Sequence, residues 1–185
     1  FGVDMPLSEG RRVVKIYRES NANISLLWRD CQNMLVEMSR GNCSTFGPRG
    51  IVEYGADGKN AWTLLPSGLN MRYDDLSWKQ GSKGVEFDYE TRRSRTRIYG
   101  GKVVENICQA FARCIIGDQL VDITKKYRAV LTVHDSIVCC VPIAEAEEAQ
   151  AYIETCMRKT PEWAEGLPLD CESGVAKAYG DCEPA

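Results

Sequence analysis

Two runs of β-branched and apolar residues, "AVLTV" (129–133) and "IVCCVPI" (137–143), stand on either side of His134, Asp135 and Ser136. β-branched side chains favour extended backbone, whereas a histidine, an aspartate and a serine in succession favour a tight turn. The spacing predicts a β hairpin with His134 and Asp135 at its tip, and His134 is the chain's only histidine. Such a tip projects two ionisable groups from an apolar support. Two roles are open to Asp135. It can cap the turn through its own side chain, or it can offer a carboxylate to Mg²⁺, which takes oxygen ligands and commonly only one or two protein carboxylates. No Ser or Cys stands out in the sequence as a nucleophile that His134 would serve.

The chain has 185 residues, the size of one domain or part of one. With 44% hydrophobic and 26% charged residues, its composition is that of a globular protein, and no apolar run reaches the roughly 18 residues that span a bilayer. No membrane association and a cytoplasmic location, in the host cytoplasm if the gene is a phage's, are therefore expected. The first residues, "FGVDMPLSEGRR", show no secretory signal, and the missing initiator methionine suggests a start inside something longer. The nine cysteines contain no C-x-x-C pair, which favours reduced, structural thiols. A zinc-binding cysteine protein is a poorer alternative, because one histidine cannot complete the usual patterns.

The net charge of −3 conceals an asymmetry. Residues 79–102 contain seven bases (Lys79, Lys83, Arg92, Arg93, Arg95, Arg97, Lys102) against three acids, whereas residues 145–185 contain ten acids against three bases. A basic segment of this kind is either a solvated loop or a phosphate-binding surface.

The periodicity predicts three regions. A helical hairpin over 1–42 comprises a helix capped by Ser8, with Val13, Val14 and Tyr17 inward, a break at Asn21 and Asn23, and a second helix. That second helix stripes Ile24, Leu27, Trp28, Cys31, Leu35 and Met38, and stops at Gly41. Over 43–101, turn signals such as "GADGKN" and "LPSGLN" between short strand-like runs predict an antiparallel β insertion. Over 102–185 come a deeply packed helix to about Val121, the hairpin, and a last helix from about Ala144 to Lys159 that presents Ala149, Tyr152, Ile153 and Cys156 to the sheet. The class is α+β. On the first helix of this region Lys102, Asn106, Gln109 and Arg113 recur at spacings of four, three and four, one polar stripe that requires partners, either protein groups or base edges and phosphates.

"LTVHDSIVCCVP" resembles the palm hairpin of family A DNA polymerases, phage-type relatives of bacterial DNA polymerase I, in which a hydrophobic strand leads into V-H-D-E. "RTRIYGGKVVENICQAFARCII" is similar to the palm helix before that hairpin, "LLPSGLNMRY" to the segment that opens the palm, "IYRESNANISLLW" to the fingers helices, and "LPLDCESGVAKAYGDC" to the C-terminal end. These pieces follow the family's order and span nearly the whole chain.

The resemblance implies a DNA-directed DNA polymerase whose primer 3′ hydroxyl attacks the α-phosphate of a deoxynucleoside triphosphate with the help of two Mg²⁺ ions. It implies that Asp135 is a Mg²⁺ ligand, that His134 contacts the primer near its 3′ end, and that Gln109 and Asn106 meet template-primer DNA in the minor groove, where every base pair shows similar acceptors. Arg97, Lys102 and Arg113 become phosphate or structural partners. Ser136 departs from the family, where a glutamate is usual, and Cys114 stands where related phage sequences often carry an acid. The family's other metal-binding aspartate and its nucleotide-binding Lys and Tyr have no counterpart here. The expectation is therefore a fingers-end and palm segment that is inactive alone and needs the upstream polymerase half, in the same chain or as a separate subunit. The alternative is an inactive DNA-binding or accessory protein on the same scaffold.

Overall fold

A computed structural model of the chain describes residues 5–82 and 84–182. Helices and antiparallel sheet form an α+β fold, divided into two compact units, Phe1–Cys108 and Gln109–Ala185. Helix α3 (Gly100–Thr124) runs from the first unit into the second.

The first unit opens with α1 (Leu7–Ser20) and α2 (Ala22–Ser39), separated at Asn21, while Asn23 lies within α2. Pro6, not Ser8, precedes the first turn, with no side-chain cap; its carbonyl accepts the Gly10 N–H at 3.0 Å. Val13, Val14 and Tyr17, expected to face inward, are exposed and α1 buries no residue, although the Tyr17 ring stacks on Trp28 of α2 at 6.3 Å between centroids. The stripe on α2 is buried only in its later turns, at Cys31, Met34, Leu35 and Met38, while Ile24 stays exposed. Its end is a Schellman motif: Gly41 takes φ +81°, its N–H bonds the Met38 carbonyl, and the Asn42 N–H bonds that of Glu37, both at 3.0 Å.

Six strands then follow as an antiparallel meander in sequence order: β1 (Ser44–Phe46), β2 (Val52–Asp57), β3 (Asn60–Leu64), β4 (Asn70–Gly81), β5 (Gly84–Glu90) and β6 (Arg95–Ile98). Alternation sends Val52, Tyr54, Ala61, Thr63 and Tyr73 inward, and α2 lies across β2, β3 and β4. Strict alternation after Tyr73 would turn Leu76 outward, yet both are buried. An irregularity between Asp74 and Ser77 resets the register, with Asp75 at φ +46°. Arg95 on β6 clamps it. Its guanidinium donates to Asp75 Oδ2, Asp88 Oδ1 and Ser77 Oγ, each at 2.6 Å, and to the Asp75 carbonyl at 2.8 Å. The same guanidinium holds the Asp75 and Asp88 carboxyls below their ordinary range.

α3 begins where the sheet ends, and its first turn lies against α2. The Gly100 N–H, one of the orphan donors of a helix start, is accepted by Gln32 Oε1 at 2.8 Å. Val103 and Ile107 complete this core. Burial pushes the Cys31 thiol up to about 12, with Asp30 and Cys108 adding to the shift, so it behaves as a small hydrophobe. All nine cysteines are free thiols.

In the second unit, α3 buries Cys114, Ile115, Gln119 and Ile123 and runs three residues beyond the expected end at Val121. The strands β7 (Ala129–Val133) and β8 (Ser136–Cys139) and helix α4 (Ala146–Met157) follow. Ala149 and Cys156 are buried on α4. The polar contacts of α4 run to α3, to Lys126 just after it and to the C-terminal segment. Tyr152 Oη donates to the Asp122 carbonyl at 2.9 Å and Gln119 Nε2 to that of Met157 at 2.5 Å. Ser173 Oγ accepts from Gln150 and donates to Glu154. Lys125 and Lys159, at 2.6 and 2.5 Å, hold the Asp122 carboxyl down at about 2.

Candidate active site

The β7–β8 hairpin closes on two residues. Val133 pairs with Ser136, so Ser136 starts the second strand and the turn consists of His134 and Asp135 alone. His134 takes φ +53°, while Asp135 has no positive φ. A positive φ at the first central position only is the pattern of a type II′ turn, a position glycine normally fills. Histidine tolerates left-handed backbone better than most residues, though not without strain. We expect His134→Gly to raise stability by about 1 kcal/mol and His134→Val to lower it, because a β-branched side chain suits this φ least. Urea midpoints of the three proteins would check this order, and a glycine variant less stable than the valine one would refute the turn geometry.

Both tip side chains are exposed. Among the described residues neither has a hydrogen-bond or ion-pair partner, so the Asp135 carboxylate is not spent on capping its own turn. The strand that carries the tip is not the buried segment its composition suggests. Val130, Leu131 and Val133 are 48%, 46% and 38% exposed, and β7 and β8 pair only with each other. Val130 falls at an irregularity in the ladder, between the Ala129–Cys139 and Leu131–Val138 pairs.

The polar stripe lies on one face of α3, but it is less buried than a deeply packed helix implies. Gln109 and Arg113 are exposed, whereas Lys102 and Asn106 are half-buried. Partners within the protein account for some of the stripe. Lys102 Nζ pairs with Glu105 at 2.8 Å. The Asn106 side chain lies beside the Tyr73 hydroxyl, whose pKa burial pushes up while Asn106 pulls it down. Arg97, on β6, donates to Glu86 at 3.0 Å. Arg97, Lys102 and Asn106 thus belong to the first unit, and Gln109, Arg113, His134 and Asp135 to the second.

No group of three His, Cys, Asp or Glu side chains among the described residues is placed to hold a metal ion. Asp135 offers Mg²⁺ an oxygen ligand of the right kind, and Ser136 beside it adds no charge. The described residues therefore fit one corner of a metal site and not a whole one.

Comparison with known proteins gives one informative relation. Over 187 aligned residues, which cover 96% of this chain, the sequence is 28% identical to the DNA polymerase of Bacillus phage SP02. The alignment covers 28% of that protein, so the chain spans little more than a quarter of its relative's length. No protein-family model and no solved structure matches. No helix among the described residues is long and apolar enough to cross a membrane.

Proposed function

We propose that the chain is the fingers-end and palm segment of a family A DNA polymerase, which extends a primer once the missing upstream half is supplied. The observation that carries this is the exposed, unpartnered carboxylate of Asp135 at a hairpin tip, in a chain related along nearly its whole length to a phage DNA polymerase. Bound Mg²⁺ would lower the barrier to phosphoryl transfer by stabilising charge on the reacting oxygens. In the reaction the primer 3′ oxygen forms a bond to the α-phosphorus of a deoxynucleoside triphosphate, pyrophosphate leaves, and the hydroxyl proton is lost.

In this reading Asp135 donates one metal ligand and His134 steadies the primer end. Gln109 and Arg113, exposed on α3, meet the template-primer duplex. Lys102 and Arg97 are engaged in ion pairs with Glu105 and Glu86, and Asn106 is half-buried beside Tyr73. One carboxylate does not make a two-metal site, so the upstream half must bring at least one more. The exposed apolar side chains of β7 and those of α1 are surfaces that the upstream half would cover.

Primer extension with Mg²⁺ and four deoxynucleotides, by this chain alone and mixed with the remainder of the polymerase, tests the proposal. Extension only in the mixture is expected, and extension by the chain alone would refute the incomplete site. Ser136, which brings no charge where the family usually has a glutamate, favours a second reading, an inactive DNA-binding scaffold. Duplex binding without extension in either reaction would select it.

A further inference from the structure

The basic segment 79–102 is largely neutralised from within. Arg95 is held by Asp75 and Asp88, Arg97 by Glu86 and Lys102 by Glu105, and Lys79 acts on Asp88. Lys83 lies outside the described residues. Among the described residues Lys79, Arg92 and Arg93 have no ion-pair or hydrogen-bond partner, and of these only Arg92 and Arg93 are adjacent.

Their position is built. Strands β5 and β6 pair up to Glu90 and Arg95, and the four residues between them form a turn locked across its base. The Thr91 N–H and hydroxyl both donate to the Ser94 carbonyl, at 2.9 and 2.6 Å, and the Ser94 N–H returns a bond to Thr91 Oγ1 at 3.2 Å. Arg92 and Arg93 therefore sit side by side and exposed at a fixed tip, where two like charges repel. Glu90 is the nearest acid in sequence, on the strand and not at the tip. Elsewhere in the sheet the arginines meet carboxylates, as Arg72 meets Asp74 at 2.9 Å. A pair left without one matches an anion with repeating charges and flat, bidentate acceptors, and phosphates offer both.

We propose that the Arg92–Arg93 tip is a DNA-backbone contact, binding two phosphates without regard to sequence. The proposal rests on the polymerase reading for its choice of anion. Each phosphate contact contributes about −0.9 to the slope of log K against log salt on duplex DNA. We expect the double variant Arg92→Ala/Arg93→Ala of the full chain to flatten that slope by about 2 for a mixed-sequence duplex. The affinity lost would then be roughly tenfold greater at 50 mM than at 200 mM salt. Arg92→Lys/Arg93→Lys should keep the slope, and Arg72→Ala should leave it unchanged because Asp74 already occupies that guanidinium. An unaltered slope in the alanine variant, with the wild-type chain binding duplex normally, would overturn the contact and leave the polymerase reading standing. Failure of the wild-type chain to bind duplex at all would overturn this contact too, whereas the polymerase reading falls only with the primer-extension test of the mixture.

Discussion

Replacing Asp135 with alanine is expected to reduce primer extension by the completed polymerase on the order of 10³-fold, more than the 10–100-fold typical of losing a residue that only supports a metal ligand. The fold should not notice. Asp135 is exposed and bonds nothing among the described residues, so its removal should change stability by no more than about 0.5 kcal/mol. Duplex affinity should hold as well, because a carboxylate contributes nothing attractive to phosphates. The informative measurement is the pairing of single-turnover extension with a binding isotherm on the same protein. A large loss of rate at constant affinity is the signature of a residue acting on the reacting atoms. Extension at the wild-type rate would refute the role of Asp135, and a parallel loss of rate and affinity would mean that the tip serves DNA positioning instead.

Gly100→Ala is expected to be the most damaging single methyl group in the first unit. A Cβ at this position would lie 1.9 Å from the Trp28 carbonyl oxygen and 2.7 Å from the Gln32 nitrogen. Both are backbone atoms of α2, which cannot swing aside as a flexible side chain would. The helices must separate, loosening the Gln32 cap on the Gly100 N–H as well. Overpacking against a yielding neighbour costs about 1–3 kcal/mol, and this rigid contact should reach the upper end or exceed it. For a chain of this size that is a fall of roughly 6–12 °C in melting temperature. The neighbouring residue provides the control. At Gly101 a Cβ would meet only the Tyr99 ring at 3.3 Å and the Trp28 ring at 3.7 Å. Alanine there should be neutral, or stabilising by up to about 1 kcal/mol through helix propensity. Thermal unfolding of both variants by circular dichroism separates the two, and equal melting temperatures would refute the close approach.

Local chemistry made much of this architecture legible. The hairpin tip, the α2 stop at Gly41 and the antiparallel insertion are each written in a few adjacent residues, and each is present. What the sequence concealed were matters of who sits next to whom. Arg95 counts as one more positive charge in a basic run, but its meaning lies in Asp75 and Asp88, which only the meander brings to it. Val13, Val14 and Tyr17 show a sound amphipathic period, yet a period says which face is apolar and not whether anything covers it. The same limit applies to β7, whose composition suggests burial while the strand lies open. Within the polar stripe the sequence treated four residues alike, whereas packing leaves Gln109 and Arg113 exposed and Lys102 and Asn106 half-buried.

The open β7–β8 ribbon also sets a race. Its outer edges carry unpaired N–H and C=O groups beside exposed Val130, Leu131 and Val133, and such an edge templates the addition of another strand, including one from an identical chain. Encounters between identical chains grow with the square of their concentration, whereas encounters with a complementary partner grow with the product of the two. Overproducing this chain by itself therefore tilts the outcome toward aggregates, and if the proposed upstream half exists as a second polypeptide, making the two together at matched, modest levels tilts it toward their complex. The hairpin that presents Asp135 is for the same reason the part of the molecule whose history from synthesis onward decides how much chain stays in solution.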